Sequence, residues 1–483
     1  MKLHELLGPE IDAPPARSEA DILGLTADSR AVEKGWLFAA LAGAKADGAK
    51  FIADAVAKGA AAVVAKRGTE TGAVAPSVLL TAQEPRRALA LMAARFYGTQ
   101  PQCTVAVTGT SGKTSVAEFV RQIFAALGHK AASLGTIGIV KPDGAAYGGL
   151  TTPDPVALHR TLAELASEGI THLAFEASSH GLDQFRLDGV KIRAAAFTNL
   201  GRDHLDYHPS VEAYLTAKLR LFSELLPKDG IAVVNADSEH AGAVIAAAGG
   251  RKVLSVGKAG EAINLTGLDR DGFAQKLRVE SEGRSFDIRL PLLGAYQAEN
   301  ALVAAGLAVA AGEKPEAALN AIEKLIGVPG RLEVMGIIRG GLAVIDYAHK
   351  PEALEAALRA LRPFARGRLV CVFGCGGDRD KGKRPIMGKI AARLADSVIV
   401  TDDNPRSEHP QTIRGEILAG AGGAREIGDR AEAIRAGSRL LGAGDVLLIA
   451  GKGHETGQIV GGTVLPFSDH DVVRALLTDK GPV

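Results

Sequence analysis

Cysteine is scarce: Cys103, Cys371 and Cys375 are the whole complement of a 483-residue chain. Three thiols cannot form a disulfide framework, and neither Cys371 nor Cys375 has two further ligands at zinc-site spacing, so they read as buried strand residues in a reducing compartment. Aromatic residues are few (14 Phe, 6 Tyr, 1 Trp) beside 58 Gly and abundant Ala, which favours close helix-on-sheet packing over stacking surfaces. Charge of one sign is also lacking. Lys and Arg number 56 against 55 Asp and Glu, so no global basic field recruits nucleic acid or anionic membrane, and any anion site must be local. The longest apolar run, residues 301–312, falls short of the roughly 20 residues a membrane span needs. Glu5, Pro9 and Glu10 interrupt what would be a signal peptide's apolar core, so the expected location is the cytoplasm.

What is present is a repeated alternation of strand-length apolar runs, glycine turns and helical stretches, the pattern of α/β domains with parallel sheets. At about 150 residues per domain the length suggests three. The first is expected over residues 1–98, with strands at 60–64 and 78–80 and a helix ending at Tyr97-Gly98. The second, 99–330, ends at the breakers Gly327-Val328-Pro329-Gly330. It carries an apolar strand at 105–107, alternating segments broken at Asp271-Gly272 and Glu282-Gly283 that read as antiparallel hairpins over 253–293, and Ala-rich helices over 298–325. The third, 331–483, has strands at 342–345, 369–373, 397–400 and 446–450, each followed at once by polar residues. In open parallel sheets ligands bind outside the carboxyl ends of strands, so these four tips are expected to face one crevice.

The sharpest local signal is Gly109-Thr110-Ser111-Gly112-Lys113-Thr114 between a strand and a helix. Small residues let backbone N–H groups approach phosphate oxygens, Lys113 reaches the β and γ phosphates, and the Thr114 hydroxyl suits Mg²⁺. The strict P-loop wants glycine at position 107, where this chain has Val107, leaving a chance glycine-rich turn as the alternative.

Taken with Glu176-Ala177-Ser178-Ser179-His180-Gly181, Thr198-Asn199-Leu200, Asp203-His204-Leu205-Asp206, Ala217-Lys218, Gly330-Arg331-Leu332-Glu333 and Asp346-Tyr347-Ala348-His349, this loop resembles the Mur ligases in order and spacing across nearly the whole chain. The resemblance implies three α/β domains: a smaller N-terminal one for a UDP-sugar, a central P-loop ligase domain with an added antiparallel part, and a Rossmann-like C-terminal domain for an amino acid. It implies ATP-dependent, ADP-forming amide synthesis through an acyl phosphate in peptidoglycan precursor assembly, by a monomer needing no nucleic acid. Lys113, Lys218, His204 and Glu176 are the catalytic set it implies, with Thr114, Glu176, His204 and a carbamylated Lys218 holding Mg²⁺. Nucleotide binding falls to Thr108, Gly109, Thr110, Ser111, Gly112, Lys113, Thr114, Asn300, Arg331, Asp346 and His349. Asp346 could equally be a helix N-cap or a turn acid, since a helix starts near Pro351.

For the UDP-N-acetylmuramoyl-L-alanyl-D-glutamate substrate the resemblance implies Ser29, Thr151, Thr152, Ser178, Gln184 and Arg186, although Ser29 or Thr151 alone would more often be a turn or cap residue. Where the family often has His-Gln-Ala before Asp-Gly, this chain has Ala44-Lys45-Ala46 before Asp47-Gly48, which changes that loop's side-chain contacts to uridine. Gly374 to Pro385, Asp402 to Arg406 and Gly451 to Glu455 narrow the amino acid to meso-diaminopimelate, held by Arg379, Asp403, Asn404, Pro405, Arg406, Gly451 and Glu455. A guanidinium grips a carboxylate through two parallel bonds, and lysine as substrate lacks that second carboxylate. The rival readings are a lysine-adding ligase, a ligase extending folate with glutamate, and a nucleotide-gated binding protein without ligation chemistry.

Overall fold

The computed structural model describes residues 1–13, 19–43, 47–70, 74, 77–146, 150–204 and 207–478. The Ala44-Lys45-Ala46 segment, and Leu205-Asp206 of the histidine motif, lie outside the described residues. Among these residues there are three principal sheets and one two-stranded ribbon.

The first sheet runs Ile11–Asp12, Val78–Ala82, Ala62–Lys66, Trp36–Ala39, Gly24–Thr26, parallel except for its first strand. The strand expected at 60–64 runs over Ala62–Lys66: Ala60 closes the preceding helix by donating to the Ala55 carbonyl, and Ala61 leads in, donating to Trp36 and accepting from Val78. Helix Pro85–Tyr97 opens with Glu84 as its cap and proline at its first turn, where the missing N–H costs nothing.

The central sheet is built on parallel strands ordered Lys252–Gly257, Ile231–Asn235, Ile192–Phe197, Cys103–Thr108, His172–Glu176, Ala131–Gly135. Both faces are covered. Val105 and Val107 join a core with Phe119, Phe124 and Leu302, while Ala106 on the same strand faces Leu158, Phe175 and Phe222. A strand buried on both faces reads as a continuous apolar run, as this one does. Helix Ala295–Ala311 packs so tightly on the sheet that a Cβ at Gly306 would stand 2.8 Å from Val233.

The hairpin reading of 253–293 needs a correction. Lys252–Gly257 pairs in parallel with Ile231–Asn235, and the antiparallel meander starts only at Ile263–Asp271, followed by Ala274–Ser281 and Arg284–Leu290. At the second turn Glu282 and Gly283 have φ of 50° and 73°, the left-handed pair a two-residue hairpin demands. The helix that carries Lys218 is regular over Val211–Arg220 and then widens into a π turn at Leu221–Leu225.

The C-terminal sheet runs Glu333–Ile338, Gly341–Asp346, Val446–Ala450, Leu369–Phe373, Ser397–Val400, Arg425–Glu426, parallel after the first pair. All four expected strands lie side by side, with their carboxyl ends on one edge. Cys371 is a buried strand residue as expected; Cys375 is buried too, but just past its strand, with Sγ 3.7 Å from Met387 Sδ. One of these strand ends is tied by an ion pair with no solvent exposure: Arg430 donates to both Asp469 oxygens at 2.7 and 2.8 Å and to the Ala450 carbonyl at 3.0 Å.

Asp469→Ala strands that guanidinium in the interior and is expected to cost about 3–5 kcal/mol, read by hydrogen exchange of residues 331–478 across a denaturant series. The double replacement Arg430→Met with Asp469→Leu should recover most of the loss. Unchanged protection in Asp469→Ala would show that the pair contributes nothing.

Candidate active site

The loop 109–112 joins strand Cys103–Thr108 to helix Lys113–Ala126. Gly109 and Gly112 have φ of 148° and 85°, and a Cβ at either would collide with Thr198 or Asn300, so both positions require glycine. The neighbouring strand end braces the loop. Asn199 accepts from the Thr110 and Ser111 N–H groups, both at 2.9 Å, and Thr198 Oγ1 donates to the Ser111 carbonyl at 2.7 Å.

Two lysines converge on one peptide oxygen. Lys113 Nζ donates to the Gly109 carbonyl at 2.9 Å and to that of Thr110 at 3.1 Å, and Lys218 Nζ donates to the same Gly109 carbonyl at 2.7 Å. Burial pushes the Lys113 ammonium down to about 8, against the pull of Glu176. Burial, and then the Lys113 charge beside it, push Lys218 well below the ordinary lysine range. Lys218 is 1% exposed, and its Nζ stands 4.3 Å over the Tyr214 ring. Among the described residues no carboxylate forms an ion pair with it.

Glu176, at the end of strand His172–Glu176, is equally buried and accepts from the Thr136 N–H at 2.7 Å and hydroxyl at 3.2 Å. His204 has φ of 52°, in the left-handed region that is uncommon for a residue other than glycine. Its Nε2 lies 3.1 Å from Asp203 Oδ2, and burial pushes its imidazole down to about 4 despite that carboxylate. At neutral pH it is therefore an uncharged ligand or acceptor. Although burial opposes it, the Lys350 ammonium and His204 hold the Asp203 carboxyl well below the usual carboxylate range.

The third domain completes the wall. Arg331 Nη2 donates to Thr114 Oγ1 at 3.3 Å, its guanidinium lies 4.3 Å over the Tyr347 ring, and its Nη1 is buried without a hydrogen-bond partner. Asn300 donates to Gln297, which donates to the Arg331 carbonyl. Asp346 does not cap the following helix, whose cap position is Lys350. Instead it accepts from the Leu332 and Ala348 N–H groups at 2.6 and 2.8 Å, while burial raises it to about 6. His349 Nδ1 is 2.7 Å from the Tyr347 carbonyl. Together these residues enclose a cavity of about 530 Å³ that includes Lys113, Thr114, Glu176, His204, Lys218, Asn300, Arg331, Asp346 and His349. That is within the range of small-molecule sites. Thr108 stays outside it, fully buried in its strand.

The expected sugar-nucleotide residues divide. Thr151 lines the cavity and contacts Thr136 at 3.0 Å. Thr152 is buried, donates to the Glu176 carbonyl at 2.9 Å, and accepts from Ser178, which also caps helix Ser179–Asp183. Arg186 spans the Thr152 carbonyl and Gln184, each at 2.7 Å. Ser29 is apart from these, in a turn of the first domain behind the cap Asp28.

The expected amino-acid residues form a second cluster at the C-terminal strand tips. Asn404 donates to Glu455 at 2.9 Å and accepts from Lys452 at 3.1 Å; Asp403, beside them, is buried and raised by that burial. Arg406, with φ of 53°, uses only Nη1, donating to the carbonyls of Gly377 at 2.7 Å and Asn404 at 3.5 Å. Among the described residues its Nε and Nη2 have no partner, and the exposed Arg379 side chain has none either. Tyr347 OH, 3.5 Å from Glu455, links this cluster to Arg331 and so to the phosphate loop. Sequence reasoning did not single out Thr136, Tyr214, Lys350 or Lys452. Only Lys452 carried a signal, within the Gly451 to Glu455 motif.

Comparison with known proteins gives a consistent result. Family models match in chain order: "Mur ligase family, catalytic domain" over residues 21–97, "Mur ligase middle domain" over 107–308, and "Mur ligase, glutamate ligase domain" over 330–453. The chain is 58% identical to the UDP-N-acetylmuramoyl-L-alanyl-D-glutamate–2,6-diaminopimelate ligase of Bradyrhizobium diazoefficiens, covering 99% of this chain and 100% of that one. It is 57% identical to the enzyme of that name from Rhizobium meliloti, over 99% of both. A solved structure of a ligase so named superposes with a TM-score of 0.71 at 35% identity, covering 99% and 98% of the two chains. MurF of Acinetobacter baumannii, at 23% identity and a TM-score of 0.63 over 89% of this chain and 90% of that one, shares the fold. With its domains matched in order and relatives more than half identical end to end, the chain belongs to the Mur ligase family.

Proposed function

We propose that the protein joins meso-diaminopimelate to UDP-N-acetylmuramoyl-L-alanyl-D-glutamate, using ATP and releasing ADP and phosphate, in the cytoplasm. The observation that carries this reading is the pair of buried lysines on the Gly109 carbonyl. A cavity that buries Lys113 and Lys218 against neutral carbonyl acceptors is electrostatically incomplete and calls for anions. A triphosphate supplies them at Lys113, the Ser111 to Thr114 loop and Arg331. Asn300, Asp346 and His349 are placed to meet the rest of the nucleotide.

Lys218 needs a different answer. An amine pushed well below the lysine range gives up its ammonium proton more readily than an ordinary lysine, and the neutral amine attacks CO₂: the N–C bond forms as a C=O π bond opens, one proton leaves the nitrogen, and the neutral amine becomes an anionic carbamate. With Glu176, neutral His204 and the Thr114 hydroxyl around the same cavity, the donor set becomes hard oxygens and one imidazole, which fits Mg²⁺. When bound, the ion would offset charge on the transferring phosphoryl group. The chain's own residues do the rest. Lys113 and Arg331 hold the γ phosphate while the substrate carboxylate attacks it, and ADP leaves. Thr151, Ser178, Gln184 and Arg186 orient that carboxylate, and Ser29 in the first domain is assigned to the uridine diphosphate. The amine then attacks the acyl carbon, and phosphate leaves.

The unpartnered Nε and Nη2 of Arg406 form the edge that binds a carboxylate through two parallel bonds, and Asp403, Asn404 and Glu455 are suited to the neighbouring ammonium. Arg379, Pro405 and Gly451 complete that subsite. Its distal carboxylate is what distinguishes diaminopimelate from lysine.

Three outcomes follow. Lys218→Ala should nearly abolish ligation, with partial rescue by small carboxylic acids, and ¹³C-bicarbonate should give a carbamate resonance that this variant lacks; near-normal turnover would mean the lysine is merely buried. Metal-free ADP should bind more weakly as pH rises through about 8, because the Lys113 ammonium that meets the phosphates is lost there; calorimetric affinity that stays flat across that range would oppose the assignment. Arg406→Ala should lower kcat/KM for diaminopimelate by about 2–5 kcal/mol, roughly 30-fold or more. Equal phosphate release by the unmodified enzyme with lysine and with diaminopimelate would sink the Arg406 reading.

A further inference from the structure

At the edge of the central sheet away from the phosphate loop, three side chains that the ligation chemistry does not use come together. His129 follows helix Lys113–Ala126, His172 begins strand His172–Glu176, and Glu313 follows helix Ala295–Ala311. His129 Nε2 is 2.7 Å from Glu313 Oε1, and the two imidazoles stack with centroids 3.8 Å apart and planes 30° from parallel. One ligand atom from each of the three residues lies within 4.8 Å of the others. All three are half-buried, so the cluster is reachable from solvent yet partly shielded.

The tautomer of His172 is set by its neighbour. The Thr171 hydroxyl donates to the Lys130 carbonyl at 3.3 Å, so its oxygen is left to accept from His172 Nδ1–H at 3.0 Å. That leaves the lone pair on Nε2, the arrangement in which a ligating histidine donates its other N–H to an outer partner. Burial and the neighbouring His129 also keep this ring unprotonated near neutral pH, pushing it down to about 4.

We propose that His129, His172 and Glu313 form a second metal site, separate from the catalytic cavity, that takes a zinc-class divalent ion. Two imidazoles and one carboxylate suit Zn²⁺ and its neighbours better than Mg²⁺, which prefers oxygen ligands throughout. Tetrahedral ligands about 2.0–2.1 Å from the ion stand roughly 3.4 Å apart, so on binding the three ligand atoms, now within 4.8 Å of one another, draw closer and the stacked rings turn so that both nitrogen lone pairs face the ion. The ion stands in for the proton now shared between His129 and Glu313. Its consequence follows from connectivity. The helix after which His129 lies begins with Lys113 and Thr114, the strand that His172 opens ends at Glu176, and the helix before Glu313 carries Asn300. The first of these helices has 14 residues, about 21 Å at 1.5 Å per residue, so the ion staples the far ends of the elements that present the catalytic groups.

The test is a Zn²⁺ titration of the full chain in excess Mg²⁺, by calorimetry and by thermal unfolding, in a His204→Ala background that removes a competing imidazole from the catalytic cavity. One Zn²⁺ per chain and a raised Tm are expected. His172→Ala or Glu313→Gln should weaken binding by well over tenfold and abolish the Tm rise, and Thr171→Val should weaken it by about 10- to 100-fold through the lost outer partner. Should the substituted chains fold poorly, the visible spectrum of a Co²⁺-loaded chain in the same His204→Ala background reads the site directly, with the intense bands of a four-coordinate centre. Zinc binding that is absent in the His204→Ala background, or unaffected by His172→Ala, Glu313→Gln and Thr171→Val, or a Co²⁺ spectrum of the hexaaquo type, would overturn the proposal.

Discussion

The Gly109 carbonyl is shared by two lysine amines, and the rest of the site is arranged around that excess. Neutral carbonyl oxygens do not offset the charge of two buried ammonium groups. Burial favours the uncharged form of each, and the Lys113 charge further disfavours that of Lys218. Without ligand the conflict is relieved by lowering both lysines, Lys218 the further. With ligand it is relieved by bringing in negative charge, which is the task of a site that must hold a triphosphate beside a second anion. The same electrostatics that make the empty cavity costly make it selective for the reactants of an ATP-dependent ligase.

The fold places the contributors without bringing their chain positions together. Parallel strands put their carboxyl ends on one edge, so the phosphate loop, Glu176 and Asn199 meet at the top of the central sheet, while Asp346, Gly374, Asp403 and Gly451 follow strand ends of the C-terminal sheet. The two edges touch through Arg331 on Thr114 and through the Lys350–Asp203 ion pair. Tyr347 carries the contact onward, under the Arg331 guanidinium and toward Glu455. The loop that precedes Lys113 and the strand-tip cluster that holds Glu455 thus belong to one connected surface.

Much of this was legible in the sequence, and the reason differs from place to place. The four inner strands of the C-terminal sheet were readable because each is an apolar run stopped by polar residues, as strands buried on both faces are, whereas the outer strands Glu333–Ile338 and Arg425–Glu426, largely half-exposed or exposed, are not buried in this way. The phosphate loop was readable because its backbone conformation needs Gly109 and Gly112 whatever the rest of the chain does. Lys252–Gly257 departs from the hairpin reading because a partly exposed parallel strand and the first strand of a meander share the same half-polar pattern. The π turn at Leu221–Leu225 was invisible, since a helix that widens keeps its apolar periodicity. Thr136, Tyr214 and Lys350 were missed because their importance comes from what they face across the fold: a buried carboxylate, a buried amine and an aspartate in another domain. No local pattern records such a partner.

The central claim is that the ligand-free cavity cannot keep both lysines charged. It is tested most directly by an NMR titration of the unliganded protein labelled with ¹³C at the lysine ε carbon, with Lys113 and Lys218 assigned by single substitutions. The account predicts a midpoint near 8 for Lys113 and a midpoint far below the ordinary lysine value for Lys218. Ordinary midpoints near 10.5 for both amines would contradict it.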